Sequence, residues 1–253
     1  MHAIDLVARS LPRAARTVPM QTGVGGSHSA VSFSMIAFPT DKLISLDGRS
    51  QPLLNSAARM TLVNIWASWC GPCVSELTDI AENASALQQR GIDVVALSVD
   101  AITDQETLDG TVTLLQKLKF PYRSGVVDQA LATKLQLLND TIFEIRDPLP
   151  VPTSFLLDRK RRVLMVYKGP VSVEQLLRDI GGLKASSTEE WRSATVPFAG
   201  YWFMPPRRRH LFDYVQQLVE LGFKEEAIDY VQRDPDMFTK HPYWPTLNQK
   251  LQP

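Results

Sequence analysis

The sequence has few cysteines and histidines, and this scarcity excludes several classes of protein. Only two of the 253 residues are cysteine, whereas small secreted domains held together by disulfides are rich in cysteine. The four histidines, at positions 2, 28, 210 and 241, are scattered and show no spacing typical of metal ligands. Two cysteines supply only half of a structural zinc site, so we expect neither a bound metal nor a cofactor.

Excess charge and long apolar runs are also missing. Lys and Arg together number 27, as do Asp and Glu, so the net charge is zero and favours no general binding to nucleic acid or anionic membranes. No apolar run approaches the roughly 18 residues of a membrane-spanning helix. The first 21 residues are interrupted by Asp5, Arg9, Arg13 and Arg16, so no secretory signal peptide is expected. At 44% hydrophobic residues, the chain should still fold around a core.

The apolar pattern predicts an α/β fold. Residues 60–68 and 92–100 are dense in apolar and β-branched side chains, as in strands buried on both faces. Between them, residues 72–90 show the spacing of an amphipathic helix. Two later strands and a final helix follow. The order β-α-β, then β-β-α, predicts a central mixed sheet with helices on both faces.

Composition divides the chain into parts. Residues 1–38 are rich in Gly, Ser and Ala and are predicted to be a flexible leader, and residues 39–182 carry the α/β pattern and both cysteines. Residues 183–206 form an aromatic and proline-rich linker, and residues 207–253 carry two amphipathic helices joined at Gly222, an αα-hairpin. This hairpin resembles a tetratricopeptide repeat. A lone hairpin cannot bury its apolar face, so it either packs on the preceding domain or begins an array, and it is a possible surface for a protein partner.

The two cysteines, Cys70 and Cys73, lie between a predicted strand that ends near Ala67 and a helix that begins at Pro72. A thiolate, the reactive form of a thiol, is stabilised at the N-terminus of a helix. Cys70 is therefore predicted to attack a substrate disulfide, and Cys73 to resolve the mixed disulfide that forms. The alternatives are an inert buried pair or half of a metal site. Neither explains Gly71 and Pro72, which are poor choices for a buried packing turn.

The motif WCGPC at residues 69–73 is identical to the thioredoxin active site, and residues 63–77 look like the TlpA/ResA branch of the thioredoxin superfamily. The resemblance covers residues 41–182. It implies a thioredoxin-like fold and a thiol–disulfide oxidoreductase that reduces protein disulfides, with an upstream thiol reductant as a second partner. Trp69, Gly71 and Pro72 would then support the active site. The branch is usually extracytoplasmic (periplasmic), and a cytoplasmic location is the alternative because no signal peptide is seen.

The same resemblance assigns roles to five further residues. Pro152 matches the family's cis-proline, which faces the cysteines, and together with Val151 and Thr153 it would pair with a substrate chain. Asn64 stands where thioredoxins have a buried Asp, so their usual proton relay is missing. Glu76 follows the second cysteine by three residues, a position near the active site of ResA-like proteins. Its alternative is an ordinary solvated helix residue.

The sequence also departs from the family pattern. Thr78 stands where the family commonly has a proline, which predicts a straighter first helix. The segment 139–150 is longer than the usual connection before Pro152 and carries Glu144, Arg146 and Asp147. These charged residues would lie at the rim of the site, where they either shape substrate choice or belong to a tolerated surface insertion.

Three other functions remain open from the sequence. The first is a thiol peroxidase, although the reactive cysteine of peroxiredoxins follows a Pro/Thr motif and not a tryptophan such as Trp69. The second is an interaction module that uses the fold as a scaffold and the helical tail as its partner surface. The third is an oxidase or isomerase, because the compartment decides the direction of exchange.

Overall fold

A computed structural model of the protein describes residues 28–32, 36–40, 42–103, 108–143, 147–181, 201–203 and 208–252. Within these ranges nine strands form one mixed sheet: β1 (His28–Ser32), β2 (Lys42–Ser45), β3 (Ser50–Pro52), β4 (Met60–Trp66), β5 (Ile92–Ser98), β6 (Arg123–Val126), β7 (Thr153–Asp158), β8 (Val163–Lys168) and β9 (Tyr201–Phe203). Their order across the sheet is β3-β2-β6-β5-β4-β7-β8-β1-β9.

The helices fall into two groups along the chain. The first group is α1 (Gly71–Glu82), α2 (Ala84–Gln89), α3 (Asp100–Thr103), α4 (Leu108–Lys117), α5 (Gln129–Phe143) and α6 (Val173–Gly181). The second is α7 (Arg208–Glu220), α8 (Lys224–Arg233), α9 (Pro235–Thr239) and α10 (Trp244–Leu251). None of these described helices is long and apolar enough to cross a membrane.

The centre of the sheet positions the cysteines. Strands β4, β5 and β6 run parallel, and β7 joins β4 on its other side in the antiparallel direction. Six of the seven residues of β4 are buried, as expected for a strand covered on both faces. Strand β4 ends at Trp66 and α1 begins at Gly71. The turn that carries the cysteines therefore lies at the C-terminal end of β4, beside the first residues of β7. The predicted mixed sheet with helices is confirmed.

The prediction of a flexible leader is wrong for residues 28–32 and 36–38. Strand β1 pairs with β8, from His28 opposite Lys168 to Val31 opposite Met165. Beyond it, Ile36 and Phe38 are buried, and the Phe38 ring packs edge-on against another core ring at 5.4 Å between centroids. Without β1, the edge of β8 would be unpaired. Pairing with this edge stabilises β1, although the composition of the segment does not by itself favour regular structure. Residues 1–27 lie outside the described part.

Part of the predicted linker is also a strand. Of residues 183–206 the structure describes only 201–203, and these form β9, parallel to β1 with Ala30 opposite Tyr201. Residues 183–200 and 204–206 lie outside the described part. The boundary predicted from composition therefore placed strand residues in a linker, because the edge offered by β1 is separated from β9 by most of the chain.

The C-terminal helices pack on the α/β part. Helices α7 and α8 are joined through Gly222, whose φ of +86° lies in the left-handed region that favours glycine. Tyr214 and Leu218 of α7 belong to the same apolar cluster as Leu135 of α5. Across this contact Lys134 Nζ lies 2.5 Å from a carboxylate oxygen of Glu226 in α8. The sequence did not predict α9 and α10, and the resemblance to a tetratricopeptide repeat stays a prediction.

Truncation tests the proposed boundary between the α/β part and the helical tail. A chain that ends after Lys184 is expected to fold and to reduce small disulfides at a rate similar to the full chain, because Cys70, Cys73 and Pro152 all precede the boundary. It should be less soluble and melt at a lower temperature, since α5 would expose the apolar face that α7 covers. Circular dichroism melting and turnover of a small aromatic disulfide measure both effects.

Two outcomes would contradict this division. A truncated protein that folds normally but loses disulfide exchange would show that the tail belongs to the site. A truncated protein that cannot fold would show that the two parts share one obligatory core.

Candidate active site

The cysteine pair lies at the start of α1. Cys70 is the N-cap residue and Cys73 lies in the first turn, with Pro72 at one of the first helical positions. The two cysteines form a disulfide with their Cα atoms 5.2 Å apart, and the Cys73 N–H points at Cys70 Sγ, 3.2 Å away. In the reduced protein this N–H and the helix dipole would favour a thiolate at Cys70.

The two sulfurs differ in their access to solvent. Cys70 is 6% exposed and Cys73 is fully buried, while Gly71 and Pro72 between them are exposed. Trp69, immediately before the pair, is 51% exposed, which is unusual for so large an apolar side chain. An incoming substrate can therefore reach Cys70 past Trp69, whereas Cys73 is covered by the protein.

The segment before β7 faces Cys70. The peptide bond between Val151 and Pro152 is cis, and the carbonyl oxygen of Val151 lies 3.8 Å from Cys70 Sγ. The hydroxyl of Thr153 donates to the carbonyl of Pro150 at 2.7 Å. The structure thus places Val151 against Cys70, with Pro152 and Thr153 following it in the chain.

A buried chain of hydrogen bonds connects β4, β7 and α1. Asn64 of β4 lies opposite Ser154 of β7, and its Nδ2 donates to Ser154 Oγ at 2.9 Å. The Ser154 hydroxyl donates in turn to Glu76 Oε1, also at 2.9 Å. All three side chains are buried, so the alternative of a solvated Glu76 does not hold. Glu76 lies one helical turn after Cys73, on the same side of α1.

Burial raises the pKa of Glu76 to about 8 from its ordinary value of 4.5. Polar contacts with Ser154 and Asn64 offset only part of this effect, and the negative charge of Asp79 adds to it. The N–H of Val171 also opposes the rise, although the carboxyl oxygen Oε2 has no hydrogen bond of normal geometry among the described residues. The carboxyl is therefore largely protonated at neutral pH.

A second buried carboxylate supports the cysteine turn. Asp100, the first residue of α3 and two residues after β5, is buried and accepts the backbone N–H of Ser68 at 3.0 Å. It also accepts the hydroxyls of Ser98 at 2.9 Å and Thr111 at 2.5 Å. Strands β4 and β5 are parallel and end at the same edge of the sheet, so Asp100 fixes the turn between β4 and Cys70.

Asp100 and Ser154 are not among the site residues predicted from the sequence. A signal for Asp100 existed, because an acidic residue directly after a buried parallel strand is expected at the functional edge of the sheet. Ser154 gave no comparable signal. Helix α1 continues through Thr78, whose hydroxyl donates to the Val74 carbonyl at 2.7 Å. Of the three predicted rim charges only Asp147 is described; Glu144 and Arg146 lie outside the described part.

Comparison with known protein families shows the family to which the chain belongs. The model of the AhpC/TSA family matches residues 36–166, about half of the chain, including both cysteines and Pro152. The chain belongs to the AhpC/TSA family. The matched AhpC/TSA region begins at Ile36 and ends in β8, so it spans β2 to β7 of the sheet.

Curated relatives of this AhpC/TSA protein are named for thiol–disulfide exchange. Thiol-disulfide oxidoreductase ResA of Bacillus thuringiensis subsp. konkukian is 26% identical over 140 residues, 54% of this chain and 71% of its own. Sporulation thiol-disulfide oxidoreductase A of Bacillus subtilis is 26% identical over 133 residues, 52% of this chain and 72% of its own. The crystal structure of StoA from Bacillus subtilis aligns with 56% of this chain and 98% of its own, at 21% identity and a TM-score of 0.42.

The relatives and the cysteine geometry agree on the type of reaction. Cys70 and Cys73 are joined by a disulfide in a C-x-x-C arrangement at a helix N-terminus, and the relatives are thiol–disulfide oxidoreductases by name. This AhpC/TSA protein is therefore a thiol–disulfide oxidoreductase built on a mixed sheet with helices.

Proposed function

We propose that the protein reduces disulfide bonds of protein substrates through a dithiol–disulfide cycle of Cys70 and Cys73. The observation that carries the proposal is the position of Cys70 Sγ. It lies at the N-terminus of α1 and 3.8 Å from the carbonyl oxygen of Val151, so the attacking atom and the backbone that would hold a substrate are adjacent.

The reaction proceeds in two exchanges. The Cys70 thiolate attacks one sulfur of the substrate disulfide, forms a mixed disulfide and displaces the other substrate sulfur as a thiolate. Cys73, after losing its proton, attacks Cys70 Sγ and releases the second substrate thiolate. The substrate gains two electrons and the protein is left with the Cys70–Cys73 disulfide. An upstream thiol reductant returns the pair to the dithiol.

Glu76 is proposed to exchange a proton with the buried Cys73. Asn64 has no titratable group, so the position used by thioredoxins cannot serve as a base. Glu76 lies one helical turn from Cys73, and its raised pKa of about 8 is close to that of an ordinary thiol. Such a match of pKa values makes proton transfer in either direction inexpensive near neutral pH. Ser154 and Asn64 hold the carboxyl in place.

Protein substrates are proposed to dock beside Cys70 as an added strand. The N–H of Val151 makes no hydrogen bond within the described part of the chain, and its carbonyl faces Cys70. An extended substrate segment can pair with these two backbone groups, as peptides do at other exposed sheet edges. The exposed ring of Trp69 offers apolar contact next to the same sulfur.

The direct test is reduction of insulin by the full chain with dithiothreitol as electron donor, combined with the reduction potential of the cysteine pair. We expect catalysed insulin reduction and a reduction potential close to that of thioredoxin, about −270 mV. A potential near about −120 mV, as in strongly oxidising proteins of this fold, would overturn the reducing direction. A protein that accelerates neither insulin reduction nor exchange with small disulfides would overturn the cycle itself.

The compartment is part of the same proposal. The similarity of residues 63–77 to the TlpA/ResA branch supports an extracytoplasmic site of action, where the electron donor would have to be supplied across or within the envelope. Cell fractionation combined with alkylation of the two cysteines would identify both the compartment and the resting redox state of the pair.

A further inference from the structure

Helix α5 buries two amide side chains that the exchange reaction does not use. Gln136 is 2% exposed and Asn139 is fully buried, on a helix that otherwise buries mostly leucines. A buried amide is costly unless its donors and acceptor are hydrogen-bonded. Both amides donate to Asp140 Oδ1 within α5, Gln136 at 2.7 Å and Asn139 at 3.4 Å. Their other partners lie in residues 147–149, the described end of the long connection that leads to Val151.

The amides hold this connection through its backbone. Gln136 Nε2 donates to the carbonyl of Asp147 at 2.8 Å, and Gln136 Oε1 accepts the N–H of Leu149 at 2.9 Å. Asn139 Nδ2 donates to the same Asp147 carbonyl at 3.1 Å. Gln136 therefore bonds the groups on either side of Pro148, as a neighbouring parallel strand would. The side chain of Leu149 is buried in the core, which anchors the segment further.

Alternating prolines make this support necessary. Pro148, Pro150 and Pro152 have no N–H, and each restricts the preceding residue to extended conformations. The only N–H groups from residue 148 to residue 152 are those of Leu149 and Val151. Gln136 takes the first, and the second makes no hydrogen bond in the described part of the chain. The segment thus cannot join the sheet by an ordinary ladder, and α5 supplies the missing partners.

We propose that Gln136 and Asn139 are positioning residues that fix the backbone of Val151 for protein substrates. The inference rests on the proposed function, in which a substrate chain pairs with Val151 before its disulfide reaches Cys70. A small aromatic disulfide reacts at Cys70 without pairing as a strand. Loosening the segment should therefore weaken the capture of protein substrates and leave the chemistry of the cysteine pair unchanged.

The test compares Gln136→Met with wild type in the full chain, because methionine is close in length to glutamine but forms neither of its two hydrogen bonds to the segment nor its bond to Asp140. We expect the KM for insulin to rise about tenfold, the order expected for losing two buried hydrogen bonds. Turnover of the small disulfide 5,5′-dithiobis(2-nitrobenzoate) and the reduction potential should stay at wild-type values. Asn139→Leu, which removes one bond to the segment, should show a smaller rise in the same direction.

Thr141→Val is the matched control on the same helix, because among the described residues the Thr141 hydroxyl bonds only to the carbonyl of Leu137 within α5. An unchanged KM for insulin in Gln136→Met would overturn the inference. Equal losses with insulin and with the small disulfide would also overturn it, because the effect would then lie at the cysteines. If Gln136→Met does not fold, Asn139→Leu carries the test alone. A wild-type protein that cannot reduce insulin would instead contradict the proposed function.

Discussion

Replacing Cys70 with serine is expected to reduce disulfide exchange to the uncatalysed rate, whereas Cys73→Ser should stop the cycle at a mixed disulfide. Cys70 is the sulfur with access to solvent, and it caps α1, where its thiolate would be stabilised. Without it, no mixed disulfide can form at the accessible position. Without Cys73, nothing within the protein resolves the mixed disulfide, and the substrate stays attached to Cys70.

The two variants control for each other, because each retains one cysteine and differs by a single atom from wild type. Non-reducing electrophoresis after mixing with a disulfide-containing protein should show a trapped complex only for Cys73→Ser. Alkylation of the reduced wild-type protein at mildly acid pH, followed by mass mapping, should label Cys70 first. Trapped complexes with Cys70→Ser, or preferential labelling of Cys73, would reverse the two roles.

Local sequence signals were sufficient to predict the position of the turn that carries the two cysteines. The apolar run of β4, the proline at the start of α1 and the helical spacing after it all lie within about twenty residues of Cys70, and each acts through backbone preferences that depend on nearby residues. For the same reason the alternation of strands and helices along the central part of the chain could be predicted. These local signals predicted the position of the attacking sulfur relative to a helix N-terminus.

The surroundings of the cysteines depend on contacts that sequence patterns do not reveal. Ser154 meets Glu76 because β7 pairs with β4 in a register that places it opposite Asn64, and these partners are 78 and 90 residues away in the chain. Register fixes which side chains share a face, and it is decided by the packed sheet as a whole. The burial of Glu76 and its raised pKa follow from that packing. The sequence of α1 by itself does not predict them.

The errors at the ends of the chain have a related cause. Residues 28–32 and 201–203 form strands only at an edge supplied by β8 or by each other, so their own composition predicts little. Gln136 and Asn139 are a similar case, because two amides on an otherwise apolar helix give no indication of which backbone they will hold. Their partner residues follow eight to thirteen positions later, and the contact requires the chain to fold back onto α5.

Glu76→Gln is expected to change how stability depends on pH. An unfolded chain loses the Glu76 proton near pH 4.5, whereas the folded protein keeps it to about pH 8. Between these values the unfolded state binds fewer protons, so the free energy of unfolding falls as pH rises across this window. At about 1.36 kcal/mol for each pH unit, the fall is on the order of 3–5 kcal/mol. Glutamine resembles the protonated carboxyl and does not ionise, so the variant should avoid this loss.

Urea unfolding of the oxidised proteins at pH 5, 7 and 9 measures the effect. Wild type and Glu76→Gln should have similar stability at pH 5, and the variant should be more stable at pH 9. Glu82→Gln is the matched control, since Glu82 lies at the end of the same helix and is exposed. A wild-type protein whose stability changes with pH in parallel with that of Glu76→Gln would show that the folded state does not hold the proton.

The same substitution separates stability from catalysis. If Glu76 exchanges a proton with Cys73, a more stable Glu76→Gln protein should still turn over insulin more slowly, by about a hundredfold, the lower range for loss of a general acid or base. The mixed disulfide should then persist longer in the variant, because Cys73 loses its proton without help, and the activity should recover as pH rises towards the pKa of the thiol. Wild-type turnover in Glu76→Gln at pH 7 would leave Glu76 with a purely structural role beneath the cysteines.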